Sequence, residues 1–486
     1  MQRFDIRNPN FGAFNRPSRI EADIFELEIE GEVPLGLNGY FLRQTADPQF
    51  HPVDEMIVVE PDGLVNSFHI ANGHVDFRSR YVRTERFLKE REARRALFGR
   101  YRNPYADDEE VKGVDRSTAN TSLLWHHGKL LALKEDGLPY ELDPTTLETK
   151  GRYDFCGDVK SQTMTAHPRI DPDTSELFFY GASASGDATP EIAYYVADAE
   201  GNITAERWFK APYSSIVHDF VVTKNWAIFP IMPAVSSLER LQSRGPIYEW
   251  ESERPSFIGV LPRDGSSEPR WFETDPMFAF HMVNAFDDGS NLVTIDAMES
   301  PVFPMWFPTD EQKAAFARGT PPKDEFFSQL TRWTIDLGGE GRNAVSRSTL
   351  HEWDAEMPRM DDRFACTPYR YAFYSADDPS QPIVTTIGER GVNHNSIARW
   401  DHETQSLSSW HTGANSAVGE PVFVPRSPDE GDGWLLAVVQ RYQDMSSELV
   451  ILDAQKLENG PVARVFMPMR LKNGIHGAWL PIESDY

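Results

Sequence analysis

Between residues 60 and 453 one local pattern keeps returning: a short run of aliphatic and aromatic residues, then a turn rich in Asp, Gly and Pro. The runs at 56–59, 67–70, 130–133, 177–180, 226–229 and 435–439 read as strands. Between such runs lie turns like Glu60-Pro61-Asp62-Gly63, Asp143-Pro144-Thr145-Thr146, Asp171-Pro172-Asp173-Thr174 and Asp401-His402-Glu403-Thr404. Their Asp and Gly residues supply the local hydrogen bonds and positive φ that tight connections need. So many short strands without a linker predict an all-β fold of closed form. A β-propeller fits best, because radial blades leave only short edges around a central axis. No strict sequence repeat is visible, so periodicity alone does not count the blades.

Residues 1–486 therefore read as a single propeller domain, with 1–35 an N-terminal arm leading into the first strand. A few short helices, expected at 84–97, 236–242 and 310–318, join the loops that cap the face bearing the site. The Pro-rich stretch 300–308 is a loop placed either to cover a site or to pack as an aromatic corner.

With 40% apolar residues the chain has ample core, and it needs neither disulfide nor metal merely to fold. Cys156 and Cys366 are the only cysteines and lack CxxC spacing, which fits a reducing compartment. A net charge of −27 argues against a nucleic-acid surface and against docking on anionic lipid. The N-terminus has no apolar signal region, and the longest apolar runs are far too short to span a bilayer. The expectation is a soluble cytoplasmic protein with neither nucleic-acid nor membrane partner.

Almost at the C-terminus stands a histidine between glycines, Gly474-Ile475-His476-Gly477. His167, His218 and His281 lie far upstream, at spacings of 51, 63 and 195 residues that no local metal motif uses. Taken alone, each reads as an ordinary core or surface histidine.

At these residues, however, the chain resembles the carotenoid cleavage oxygenases, seven-bladed propellers with a non-haem iron. The likeness is carried by Gly39-Tyr40-Phe41-Leu42-Arg43, Ala166-His167-Pro168-Arg169, His218-Asp219-Phe220, Phe280-His281-Met282-Val283-Asn284, Glu356-Met357-Pro358-Arg359, Gly419-Glu420-Pro421 and His476-Gly477-Ala478-Trp479. It implies Fe(2+) held by His167, His218, His281 and His476, with Glu135, Glu356 and Glu420 fixing three of the four rings from behind.

Within that family the chain is most similar to the lignostilbene and resveratrol cleaving dioxygenases, through 79–87, 97–104 and 131–137. The likeness implies cleavage of the central C=C bond of a 4-hydroxystilbenoid by O2 into two aromatic aldehydes. It assigns Tyr101 and Lys134 to the phenol oxygen. A phenol titrates near 10, so its anion needs a nearby cation or donor. It also places Thr121 beside the open metal positions and Phe303 on the stilbene. Val59 stands where such relatives carry a phenylalanine lining the cleft, which enlarges the pocket. A homodimer is implied as well. Two other readings stay open at this point: the same iron chemistry on an apocarotenoid, and a propeller hydrolase using a different metal.

Overall fold

The Asp turns do the local work their sequence suggests. Asp143 Oδ1 accepts the backbone N–H groups of Thr145 and Thr146, and Asp171 and Asp198 accept those of residues two to four places on. Each closes a short connection between antiparallel strands. In the computed structural model the described residues are 3–6, 8–53, 56–303, 327–382 and 393–482. Their strands form seven antiparallel sheets of four or more strands, set as the blades of a propeller. A separate two-stranded ribbon, Ala234–Ser236 with Tyr248–Trp250, stands outside the blades.

Blade 1 takes its inner strand from the other end of the chain. Gly474–Pro481 pairs with Gly39–Ala46, in the register Phe41 opposite Trp479 and Leu42 opposite Ala478. Blades 2 to 7 follow in order at 122–152, 169–210, 221–274, 278–351, 355–411 and 416–466. The first 35 residues are more than an arm. Ala22–Ile24 adds an outer strand to blade 1, and Glu28–Gly31 pairs with Pro461–Phe466 at the outer edge of blade 7. Both termini thus staple the ring shut, which leaves fewer unpaired edges.

The core is a series of wedges between neighbouring blades. Phe41, Phe68 and Phe77 of blade 1 pack with Leu436, Val438 and Ile451 of blade 7. Phe178 and Tyr180 of blade 3 do the same with Phe220 and Phe229 of blade 4. Among the described residues no helix is long and apolar enough to cross a membrane.

Two local expectations fail. Residues 56–59 form a turn rather than a strand, and Glu60-Pro61-Asp62-Gly63 is a buried approach to the strand Gly63–Ala71 rather than a hairpin turn. The reason is that the carbonyls of Val59 and Pro61 both accept from the Asn120 side chain, so no strand neighbour is needed to satisfy them. The helix expected at 84–97 runs over Glu85–Ala93. Thr84 caps it by accepting the Phe87 N–H, and Arg94 ends it in the left-handed region at φ 56°. The one expected at 236–242 is Leu238–Gln242, capped by Ser237. The helix expected at 310–318 and the part of the Pro-rich loop from 304 lie outside the described residues.

The closing strand leaves no room at its first position. A Cβ on Gly474 would lie 2.1 Å from Nε of the buried Arg43, whose Nη2 donates to the Lys472 carbonyl at 2.8 Å. Gly474→Ala should therefore destabilise the protein by about 1–3 kcal/mol, read as a lowered urea midpoint. An unchanged midpoint would mean that the closure tolerates a shifted Arg43.

Candidate metal centre

Strands alone cannot aim four histidines at one point, because successive side chains alternate faces. The inner strands break their register where they must. In Phe278–Asp287 the pairing slips between Ala279 and Met282, which turns His281 toward the axis. In Gly474–Pro481 it slips opposite Arg43 and Thr45, between Gly477 and Gly474, where His476 sits. Blade 6 slips between Glu356 and Arg359, with Met357 at φ 56°. Such bulges re-aim side chains at the cost of local pairing. His167 and His218 instead come from the segments just before the inner strands of blades 3 and 4.

The structure brings all four predicted histidines together: one ring nitrogen from each lies within 4.8 Å of the others. Nε2 of His218 is 3.1 Å from that of His167 and 3.3 Å from that of His281. Behind three rings stand the three predicted carboxylates. His218 Nδ1–H donates to Glu135 at 2.6 Å, His281 to Glu356 at 2.6 Å, and His476 to Glu420 at 2.8 Å. With Nδ1 carrying the proton, each Nε2 turns a lone pair to the centre. His167 has no such partner among the described residues. Burial and the other three imidazoles push its pKa well below the ordinary value, so it too is neutral.

The acids are held ionised. Burial pushes Glu135 up, but His218, Arg102 and Tyr101 more than offset it and hold the carboxyl at about 2. Glu420 is likewise held at about 2, by Arg359 and His476 against the same burial. Lone pairs crowded 3.1–3.3 Å apart repel unless a cation sits among them. A divalent metal fits this donor set, with three carboxylates one layer out to balance its charge. Every blade contributes a group: imidazoles from blades 3, 4, 5 and 1, carboxylates from blades 2, 6 and 7.

The residues expected at the substrate end lie on the Glu135 side. Tyr101, buried, donates its hydroxyl to Glu135 Oε1 at 2.8 Å, the carboxylate that also holds His218. Lys134 is 4% exposed and its Nζ lies 5.3 Å from the Tyr101 ring centroid. Nζ donates to the Val59 carbonyl at 3.1 Å and to Asn120 Oδ1 at 3.2 Å, and no carboxylate among the described residues makes an ion pair with it. Burial pushes its pKa down. Thr121 accepts the His476 N–H on its carbonyl at 3.2 Å. Phe303 packs edge-on to Phe278, with ring centroids 4.9 Å apart, and touches Phe280, which in turn meets the His218 ring at 5.2 Å.

Sequence reading missed four participants. Arg102 reaches within 3.6 Å of Glu135 and donates to the Tyr248 hydroxyl at 2.6 Å. Arg359 donates to Glu420, and Phe280 packs on His218. Asn120 holds Lys134. Arg359 and Phe280 stood within the quoted Glu356-Met357-Pro358-Arg359 and Phe280-His281-Met282-Val283-Asn284 motifs and Arg102 within 97–104, but nothing local marked their roles or that of Asn120.

A four-imidazole centre with three buried rings and outer carboxylates on a propeller axis defines a metalloenzyme, and the comparisons narrow the class to oxygenases. The chain belongs to the family of the retinal pigment epithelial membrane protein, the carotenoid cleavage oxygenases, whose sequence model it matches over residues 15–481. It is 49% identical to isoeugenol monooxygenase of Pseudomonas nitroreducens, over 99% of this chain and all of that one. It is 40% identical to resveratrol cleavage oxygenase 1 of Aspergillus fumigatus, covering 97% of this chain and 95% of that protein. Among solved structures, Pseudomonas brassicacearum lignostilbene dioxygenase superposes with a TM-score of 0.91 at 37% identity, over 97% of this chain and 98% of that one.

If the carboxylates orient the rings, Glu135→Gln, Glu356→Gln and Glu420→Gln should each weaken metal binding about tenfold or more, measured by chelator competition. Wild-type affinity in all three would contradict that role.

Proposed function

We propose that the chain is a non-haem Fe(II) oxygenase that cleaves the C=C bond of a 4-hydroxystilbenoid with O2 to give two aromatic aldehydes. The observation that carries this reading is Lys134: a buried ammonium with no ion-paired carboxylate among the described residues, beside a tyrosine whose hydroxyl shares Glu135 with His218. His167, His218, His281 and His476 would hold Fe(II), which would activate O2 toward an alkene, the alkene itself being the group that is oxidised.

The Lys134 ammonium, whose pKa burial lowers, gives a proton to solvent as the phenol enters, takes the phenol proton in its place and so pairs as ammonium with the phenolate. The Tyr101 hydroxyl, which donates to Glu135 in the free site, turns its single proton to the same oxygen when the phenol binds and orients the ring, while His218 and Arg102 stay at Glu135. The phenolate pushes electron density through its ring into the conjugated double bond, where oxygen adds. The two alkene carbons separate, each carrying one oxygen atom. Phe303 packs against the bound aromatic system, the Val59 side chain lines the cleft, and Thr121 narrows access beside His476.

One observation favours a variant of this reading. The relative at 49% identity is named an isoeugenol monooxygenase, and the resveratrol enzyme stands at 40%. Isoeugenol is a 4-hydroxyphenylpropene, with the same para-hydroxyl conjugated to an alkene but a methyl group at the far end. The phenol site serves either substrate. An apocarotenoid offers Lys134 no phenol, and a propeller hydrolase would want carboxylates in the ligand shell rather than behind the rings. The family likeness also supports a homodimer in the cytoplasm.

The test is a panel of 4-hydroxystilbene, a 4-hydroxyphenylpropene and their 4-O-methyl ethers. Lys134→Ala and Tyr101→Phe should lower aldehyde formation from the phenols, by about 100-fold for Lys134→Ala. The ethers should be poor substrates throughout. Full activity in Lys134→Ala, or aldehyde formed without iron or without O2, would overturn the proposal.

A further inference from the structure

The ammonium of Lys134 does not hold itself in place. Its four-carbon stem is flexible, and burial disfavours its charge. Two oxygens fix it, Asn120 Oδ1 at 3.2 Å and the Val59 carbonyl at 3.1 Å. Asn120 is fully buried, and both of its amide hydrogens are committed, to the Val59 carbonyl at 2.8 Å and the Pro61 carbonyl at 2.6 Å. Two carbonyls on one side of the amide fix its orientation, so Oδ1 must face the other way. There it accepts Lys134 and, at 3.0 Å, the Thr121 hydroxyl. The same amide also pins the loop whose Val59 carbonyl is the second acceptor for Nζ. Asn120 therefore sets both contacts of the ammonium.

The chemistry of those contacts matters as much as their geometry. Both acceptors are neutral. An ammonium has three N–H donors, and these two oxygens take two of them without cancelling the charge. A carboxylate in the same place would hold Lys134 equally well but satisfy it electrostatically, leaving little attraction for an incoming anion.

We infer that Asn120 is the positioning residue for the phenol site: it aims the Lys134 ammonium with a neutral oxygen, leaving Nζ with no hydrogen-bonded carboxylate among the described residues, so that the phenolate becomes its direct counter-ion. This rests on the reading of Lys134 given above. It predicts that Asn120 acts on phenols, through Lys134, and not on the metal centre.

The test uses the full-length, iron-loaded protein without oxygen, with 4-ethylphenol as an uncleavable probe and 4-ethylanisole as its ether control. Asn120→Ala should raise the Kd for the phenol about tenfold and leave the ether unchanged. In a Lys134→Ala background it should add nothing, which a general structural role would not predict. Asn120→Asp, close in size, should also lose phenol binding while keeping its iron, and it guards against misfolding of the alanine variant. Phenol binding at wild-type strength in either Asn120 variant overturns the inference, as does a full further loss in the double variant. If Lys134→Ala alone binds the phenol like wild type, the phenol-site reading itself fails, and this inference with it.

Discussion

Four imidazoles do not rest with their Nε2 lone pairs a few ångströms apart unless a cation sits between them, and three of the four rings are fixed from behind. The rest of the molecule follows from that constraint. Fixing the rings takes buried carboxylates, and buried carboxylates need their own partners, supplied by Arg102 at Glu135 and Arg359 at Glu420. Assembling so many groups around one point favours a fold in which many strands approach a common axis. A seven-bladed ring with one group from each blade meets the demand, and the inner strands give up regular pairing to aim their side chains.

The ring closure is part of the same requirement. The strand carrying His476 comes from the C-terminal end of the chain but pairs with the strand Gly39–Ala46, so the ring closes through one of its own ligand strands. Stability of the closure and integrity of the centre are thus coupled through one strand. The N-terminal strands, paired at the outer edges of blades 1 and 7, hold that closure from outside.

Blade 2 and the segment leading into it link the metal centre to the proposed phenol site. Two pairs of consecutive residues do this, Asn120 with Thr121 and Lys134 with Glu135. In each pair the first faces the proposed phenol site and the second touches a histidine or its strand: Thr121 accepts the His476 N–H, and Glu135 accepts the His218 ring N–H. The tie is closed by Tyr101, whose hydroxyl meets Glu135. Through Tyr101 the proposed phenol site is one side chain, Glu135, away from the His218 ring.

The turns and strands were legible because their signals are local: Asp143 and Asp171 cap their own turns whatever surrounds them. The centre was not legible from spacing, since His281 and His476 meet only through the closed ring; family likeness supplied what periodicity lacked. Residues 56–59 misled because their backbone is satisfied by Asn120, which no local pattern announces. X-ray absorption on the anaerobic, iron-loaded protein tests the metal centre most directly: four imidazole nitrogens with no carboxylate ligand are predicted, and a directly bound carboxylate or fewer than four imidazoles would contradict it.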